Sequence, residues 1–296
     1  MLPEQLQPSD CVVVNDTRVR AARLRGRSGE HEVELLLIQS KGKGVFMALG
    51  RPGRRLRPGT TAVGDGWRAT VKSGWDAHPG GLVVEVETDP GTDLDSLGEI
   101  PLPPYLREPL RDPERYQTVY SAGPPRSAAA PTAGLHLTHP LLRRLGEKGV
   151  GVCAVRLEVG LATFVPIRTT TIEAHQMHSE RFEISAEAVE MIAETRRRGG
   201  RVVAVGTTVV RCLESRPDGS GGVVAGSGET ELYLRPGSRF QVVDGLLTNF
   251  HQPRSSLMVL VSAFFGEARV RRAYQHALSQ GYRFLSFGDC MFGWAE

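Results

Sequence analysis

Lysine is scarce in this chain of 296 residues: Lys41, Lys43, Lys72 and Lys148 are the only four among 36 basic residues, and the other 32 are arginine. Against 33 acidic residues the net charge is only +3, which excludes a polycationic nucleic-acid coat. Local arginine faces remain open, because the field follows distribution rather than the sum. Cysteine is scarce as well. Cys11, Cys153, Cys212 and Cys290 form no C-x-x-C pair, so neither a disulfide framework nor a zinc ribbon is expected. No apolar run reaches membrane-spanning length, and Met1 to Asp10 holds no signal-peptide core. The expectation is a reduced, cytoplasmic protein with no membrane partner. No G-x-G-x-x-G and no G-x-x-x-x-G-K-[ST] occurs, which disfavours a Rossmann dinucleotide enzyme and a P-loop nucleotidase.

What is present is ordinary for a globular protein: 40% apolar and 23% charged residues, long enough for one large domain or two ordinary ones. The first third reads as β. Short apolar or alternating runs at Cys11–Val14, Val33–Gln39, Val45–Leu49, Trp67–Val71 and Leu82–Glu87 are separated by Gly/Pro turns, Pro79-Gly-Gly81 among them. This spacing predicts a small antiparallel barrel or sandwich over 10–100. After the Pro101–Pro104 linker, helix and strand patterns alternate: helices over Pro140–Lys148, Ala186–Arg198 and Thr207–Glu214, and strands over Val150–Leu157 and Arg201–Val205. The alternation continues through Arg239–Leu247, Leu257–Phe264, Arg269–Gln280 and Tyr282–Phe287. Residues 101–296 are expected to form an α/β domain with a mixed sheet, joined by residues 1–9 unless these are disordered. Gly219–Gly228 reads as a flexible surface loop.

Several polar words could carry chemistry. His175-Gln-Met-His178-Ser-Glu180 sets two imidazoles and a carboxylate within six residues, with His175 and His178 on one face if helical. A third ligand is lacking, so no metal is expected; acid/base chemistry or substrate hydrogen bonding fits better, and the alternative is a polar loop before a strand at Arg181–Ile184. Ala129–His136 is rich in small residues, and Thr132 and His136 would face a ligand that Gly134 lets approach, or else the run is a packed turn. Thr207 and Thr208 follow a buried strand, where they either bind an anion or cap the helix. Arg115, Tyr116 and Tyr120 can stack on and bond a base, or form a half-buried strand. Asn249, His251 and Asp289 lie beside apolar strands and need partners, structural or functional. Arginine clusters at 18–27, 51–57, 196–201 and 269–272 read as solvated faces or as contacts to an RNA backbone.

Taken in order, these words resemble one family, the S-adenosylmethionine:tRNA ribosyltransferase-isomerases of queuosine biosynthesis. The resemblance rests on Val14–Val19 (VNDTRV), Pro101–Tyr105, Arg115–Tyr120 (RYQTVY), Ala129–His136 (AAPTAGLH), His175–Glu180 (HQMHSE), Val203–Thr208 (VAVGTT), Arg211–Ser215, Thr248–Pro253 (TNFHQP), Leu260–Phe264 and Tyr282–Asp289. It implies an α/β domain plus a small barrel. It also implies transfer and isomerisation of the ribosyl part of S-adenosylmethionine onto 7-aminomethyl-7-deazaguanine at the tRNA wobble position, giving epoxyqueuosine, adenine and methionine. S-adenosylmethionine is then a cosubstrate, with no prosthetic group, and the partner is a tRNA anticodon region; a monomer is expected. Such chemistry needs a base, an acid and a proton acceptor, which the resemblance distributes among His136, His175, His178 and Glu180. Asp289 or Glu214 would hold the methionine ammonium, Arg211 its carboxylate, and Thr207 and Thr208 the sugar or carboxylate. Tyr116 and Tyr120 would stack on a base. The chain departs from the family in beginning close to the first matching strand, and in Glu158 preceding Leu161–Phe164, where an imidazole is usual. These departures leave two alternatives, a diverged or shortened relative using another acceptor and a non-catalytic RNA-binding remnant.

Overall fold

The computed structural model describes residues 1–75, 80–103, 105–106, 110–123, 125–160, 167 and 169–296. Pro79, Pro104 and the Leu161–Phe164 segment therefore lie outside the described residues. In chain order the elements are α1 (Leu2–Gln5), β1 (Cys11–Asn15), β2 (Arg18–Val19), β3 (Arg23–Ser28), β4 (His31–Gly42), β5 (Val45–Arg51), β6 (Thr61–Gly64), β7 (Trp67–Gly74) and β8 (Gly81–Thr88). They continue with α2 (Leu94–Leu97), β9 (Pro125–Ser127), α3 (His139–Glu147), β10 (Gly151–Leu157), β11 (Glu180–Ile184), α4 (Ala186–Arg197), β12 (Val202–Val205) and α5 (Thr207–Glu214). The last are β13 (Gly226–Thr230), β14 (Gly245–Asn249), α6 (Ser256–Phe265), α7 (Glu267–Ser279) and β15 (Cys290–Trp294).

The chain divides into two compact units, 1–17 with 114–123 and 130–296, and 18–113 with 124–129. The first strand thus belongs to the α/β unit and not to the barrel, correcting the expected boundary at residue 10. The reason is legible in hindsight. All five residues of β1 are buried, and an apolar run without alternation is the mark of a strand covered on both faces. It pairs in parallel with β10 on one side and β12 on the other.

The α/β sheet has seven strands in the order β13-β11-β10-β1-β12-β14-β15. β10, β1, β12 and β14 are parallel, and β11, β13 and β15 run against their neighbours. Val12, Val14, Val203, Val205 and Leu247 form one side of the core with Leu137, Leu145 and Leu6. Residues 1–9 join this unit: Lys148 donates to the Pro3 carbonyl, and Arg144 pairs with Glu4. Two expectations fail here. Tyr282–Phe287 is no strand; the edge strand is β15, three residues further on, because Phe292 and Trp294 reach the core cluster. Gly219–Gly228 is not a free loop either, since Val223 is buried and Gly226 already pairs with Ile184.

The second unit is the expected small barrel, closed and antiparallel in the order β3-β4-β5-β8-β7-β6. Alternation does the sorting. Val33, Leu35 and Leu37 of β4 and Leu82, Val84 and Val86 of β8 point inward with Leu24, Phe46, Ala69 and Trp67. Closure of β3 onto β6 removes the free edges that an open sheet would present.

Candidate active site

Chain direction in the α/β unit creates a crevice. From β1 the sheet grows through β10 to one side and through β12 and β14 to the other, so connections diverge at the carboxyl end of β1. Ligands gather at such switch points. The residue there is Asn15, fully buried. Its amide donates to the Leu157 carbonyl (3.0 Å) and to Thr208 Oγ1 (3.3 Å), and its oxygen accepts from the N–H groups of Leu157 and Thr17 (both 3.1 Å). Asn15 thereby ties the ends of β1 and β10 to the start of α5. Sequence reasoning passed over it, although an amide closing an all-apolar strand was the available signal.

Helix α5 begins after Gly206, whose φ of 93° is costly for any residue with a side chain. Its N–H donates to the Leu247 carbonyl (2.8 Å), fixing the turn against β14. Every residue of α5 is buried. A cleft of about 520 Å³, including space open to solvent, lies beside the first turns of this helix. Its walls are His175, Met177, His178 and Glu180; Thr207, Thr208 and Arg211; Leu232, Tyr233 and Leu234; and Ser256, Leu257 and Leu260. A helix N-terminus with two hydroxyls at the mouth of such a cleft suits an anionic group.

His175 and His178 do not share a helical face. They stand in an irregular segment before β11 and reach the cleft from there. The His175 ring packs edge-on to Tyr233, centroids 5.4 Å apart. Burial, and secondarily the neighbouring His178, holds the His175 imidazole below the ordinary histidine pKa. At neutral pH it is a proton acceptor.

The carboxylate of this word has another task. Glu180 forms a buried ion pair with Arg211 and accepts the Gly160 N–H (2.9 Å). Arg211 also donates to the carbonyls of Leu232 (3.1 Å) and Thr230 (3.2 Å). Glu180, expected in proton transfer, and Arg211, expected on a substrate carboxylate, thus stand together in the cleft wall, where the two groups neutralise each other. Glu214 is engaged as well: its carboxylate accepts the N–H groups of Gln241, Val242 and Val243 at 2.8–3.0 Å, which holds the segment before β14.

A second polar network flanks the same turn. His136 Nε2 lies 2.8 Å from Asn249 Oδ1, and Asn249 Nδ2 donates to Thr132 Oγ1 (2.8 Å). Asn249 ends β14, while Thr132 and His136 bound a 3-10 turn. A Cβ on Gly206 would lie 3.4 Å from that of Ala133 in this turn. Within the same turn Gly134 is needed for packing, because a Cβ there would meet the Tyr120 hydroxyl at 1.9 Å. The remaining candidates stand apart. His251 is buried, its Nε2 2.8 Å from Thr248 Oγ1, and burial pushes it down to about 4, which favours the uncharged ring. Tyr116 is fully buried near Phe287 and offers no free face for a base. Arg115 is exposed, and Asp289 accepts the Arg283 N–H (2.7 Å). Among the described residues no three His, Cys, Asp or Glu side chains form a metal cluster, and no helix is long and apolar enough to cross a membrane.

A mixed α/β sheet with a barrel inserted after its first strand, and a polar crevice at the ends of its parallel strands, defines a two-domain enzyme class. Residues 1–292 match the family described as "Queuosine biosynthesis protein", and the chain belongs to it. It is 48% identical over 295 residues to the S-adenosylmethionine:tRNA ribosyltransferase-isomerase of Pelotomaculum thermopropionicum, spanning 97% of this chain and 85% of that protein. The protein of the same name from Thermosynechococcus vestitus is 46% identical, over 98% and 83% of the two chains. A crystal structure of S-adenosylmethionine tRNA ribosyltransferase from Thermotoga maritima, 32% identical, aligns over 98% of this chain and 84% of that one with a TM-score of 0.51.

Proposed function

We propose that this chain transfers and isomerises the ribosyl group of S-adenosylmethionine onto a 7-aminomethyl-7-deazaguanine at the tRNA wobble position, releasing adenine and methionine. The observation that carries this reading is the match to enzymes of that name, at 46–48% identity over 97–98% of this chain. The geometry supports it with groups of the required kinds. Neutral His175 removes the proton beside the sulfonium, and His178 stands beside it to return a proton to departing adenine. His136, oriented by Asn249, takes the proton of the attacking aminomethyl group. Thr207, Thr208 and the first N–H groups of α5 receive the methionine carboxylate, since Arg211 is engaged by Glu180. The tRNA contributes its anticodon region, and the chain acts as a monomer in the cytoplasm.

The test is to incubate the chain with S-adenosylmethionine and tRNA carrying the aminomethyl-deazaguanine. Free adenine and an altered wobble nucleoside are expected. Adenine without tRNA modification points to another acceptor, and tRNA binding without adenine to a non-catalytic remnant. His175→Gln is expected to lower kcat by about 10²–10⁴. Because its pKa is lowered, the wild-type acid limb lies below the ordinary 6.5, with activity falling as pH drops through it. The variant's residual rate is expected to lose that limb; an unchanged limb removes His175 from the mechanism.

A further inference from the structure

From Ser40 to Gly64 the sequence carries six cations, Lys41, Lys43, Arg51, Arg54, Arg55 and Arg57, and no carboxylate. The four arginines cluster in the β5–β6 connection of the barrel. Arg51 ends β5, Arg54 and Arg55 sit in a 3-10 turn, and Arg57 follows; all four are exposed. None takes part in an ion pair among the described residues. Three other arginines of this unit behave differently: Arg20 pairs with Asp95, Arg23 with Glu34 and Arg25 with Glu99. In the α/β unit, Arg196 and Arg201 are consumed by Asp244 and Asp10.

The backbone bearing these free guanidiniums is pinned. Arg55 and Leu56 donate to the carbonyls of Pro52 (3.0 Å) and Gly53 (3.1 Å), and Gly59 donates to that of Val71 (2.8 Å). Leu56, between Arg55 and Arg57, is 2% exposed and belongs to the barrel core. The loop is thus held by its one apolar side chain while its cations stand in water. A shallow trough adjoins it, lined by Arg25, Arg27 and Arg51 with Glu32 and Glu34.

We propose that the β5–β6 connection of the barrel is a contact surface for the phosphate backbone of RNA. Concentrated like charge repels itself, and among the described residues no ion pair relieves it at Arg54, Arg55 or Arg57, while Glu32 and Glu34 share the trough with Arg51 alone of the four. Guanidinium forks match phosphate bidentately. The closed barrel has no free edge for a peptide strand, and Val63 is the only large exposed apolar residue described in the unit, which argues against a protein partner. The inference rests on the reading that the substrate is a tRNA.

The experiment is tRNA binding by the whole chain across a salt series, for wild type and for Arg54→Gln/Arg55→Gln/Arg57→Gln. Each lost phosphate contact lowers the slope of log affinity against log salt by about 0.7–0.9, so a fall of about 2–3 is expected, with roughly 10–100-fold weaker binding near physiological salt. The KM for S-adenosylmethionine and kcat at saturating tRNA stay at wild-type values. Arg25→Gln, whose cation is already paired, changes the Kd less than about twofold. If the triple variant melts early, Arg54→Gln and Arg57→Gln singly are each expected to lower the slope by about one contact. An unchanged slope and Kd overturns the inference, as does an equal loss in Arg25→Gln, which would report net charge alone. A wild type that binds no tRNA overturns both this inference and the reading it rests on, whereas insensitivity to substitution overturns only the inference.

Discussion

The barrel keeps every described charged side chain out of its core, whereas the α/β unit buries Asp10, Glu180, Arg211 and Glu214 along with Asn15, Asn249 and His251. Both units are built of short strands from similar residues. The difference is in what their interiors must do. A small barrel closes when alternating positions supply enough apolar volume, and any interior charge would only cost desolvation. A buried charge is tolerated in the α/β unit because each is matched: Glu180 by Arg211, Asp10 by Arg201, Glu214 by three N–H groups. Of these matched groups, Glu180 and Arg211 line the cleft, whereas Asp10 with Arg201 and Glu214 with its N–H donors stand near the amino ends of the parallel strands and brace the sheet there.

That contrast can be broken experimentally. The largest effect is expected from Glu180→Gln, which leaves a buried guanidinium uncompensated: about 3–5 kcal/mol lost in urea unfolding, much of it recovered by adding Arg211→Met. No recovery in the double variant would mean that the pair is not a matched unit. Next is a pH effect centred on His251. Its folded-state pKa of about 4 lies below the ordinary 6.5, so protons favour the unfolded chain. Stability is full above pH 6.5 and declines as pH falls toward 4, by about 3 kcal/mol from this group. His251→Gln keeps a partner for Thr248 and flattens that part of the curve; equal slopes in both proteins would exclude the assignment. The smallest effect belongs to the barrel. Arg25→Gln breaks an ion pair exposed on both sides and is expected to cost under about 0.5 kcal/mol, vanishing at high salt. A loss above about 1 kcal/mol would show that the barrel's surface pairs carry weight that the comparison denies them.

Periodicity alone separates much of this fold. The alternation in Val33–Leu37 and Leu82–Val86 gives the barrel, and the helical pattern from Ala186 gives α4. It misplaces Cys11–Asn15, because a fully buried strand has no period to read and sits in sequence beside the barrel. In the site, the residue types at His175, His178, Thr207 and Thr208 were legible as chemistry, and they do line one cleft. The partners were not legible. Glu180 and Arg211 are 31 residues apart, and Glu214 meets its N–H donors 27–29 residues on.

By itself the sequence determined the two kinds of unit, the family words and the inventory of imidazoles, hydroxyls and carboxylates. These are local properties, fixed by side-chain type and by spacing along the chain. Only the tertiary structure decided which of them are free to act. A carboxylate is reactive or inert according to the donors that surround it, and those arrive from strands distant in sequence once the sheet has formed.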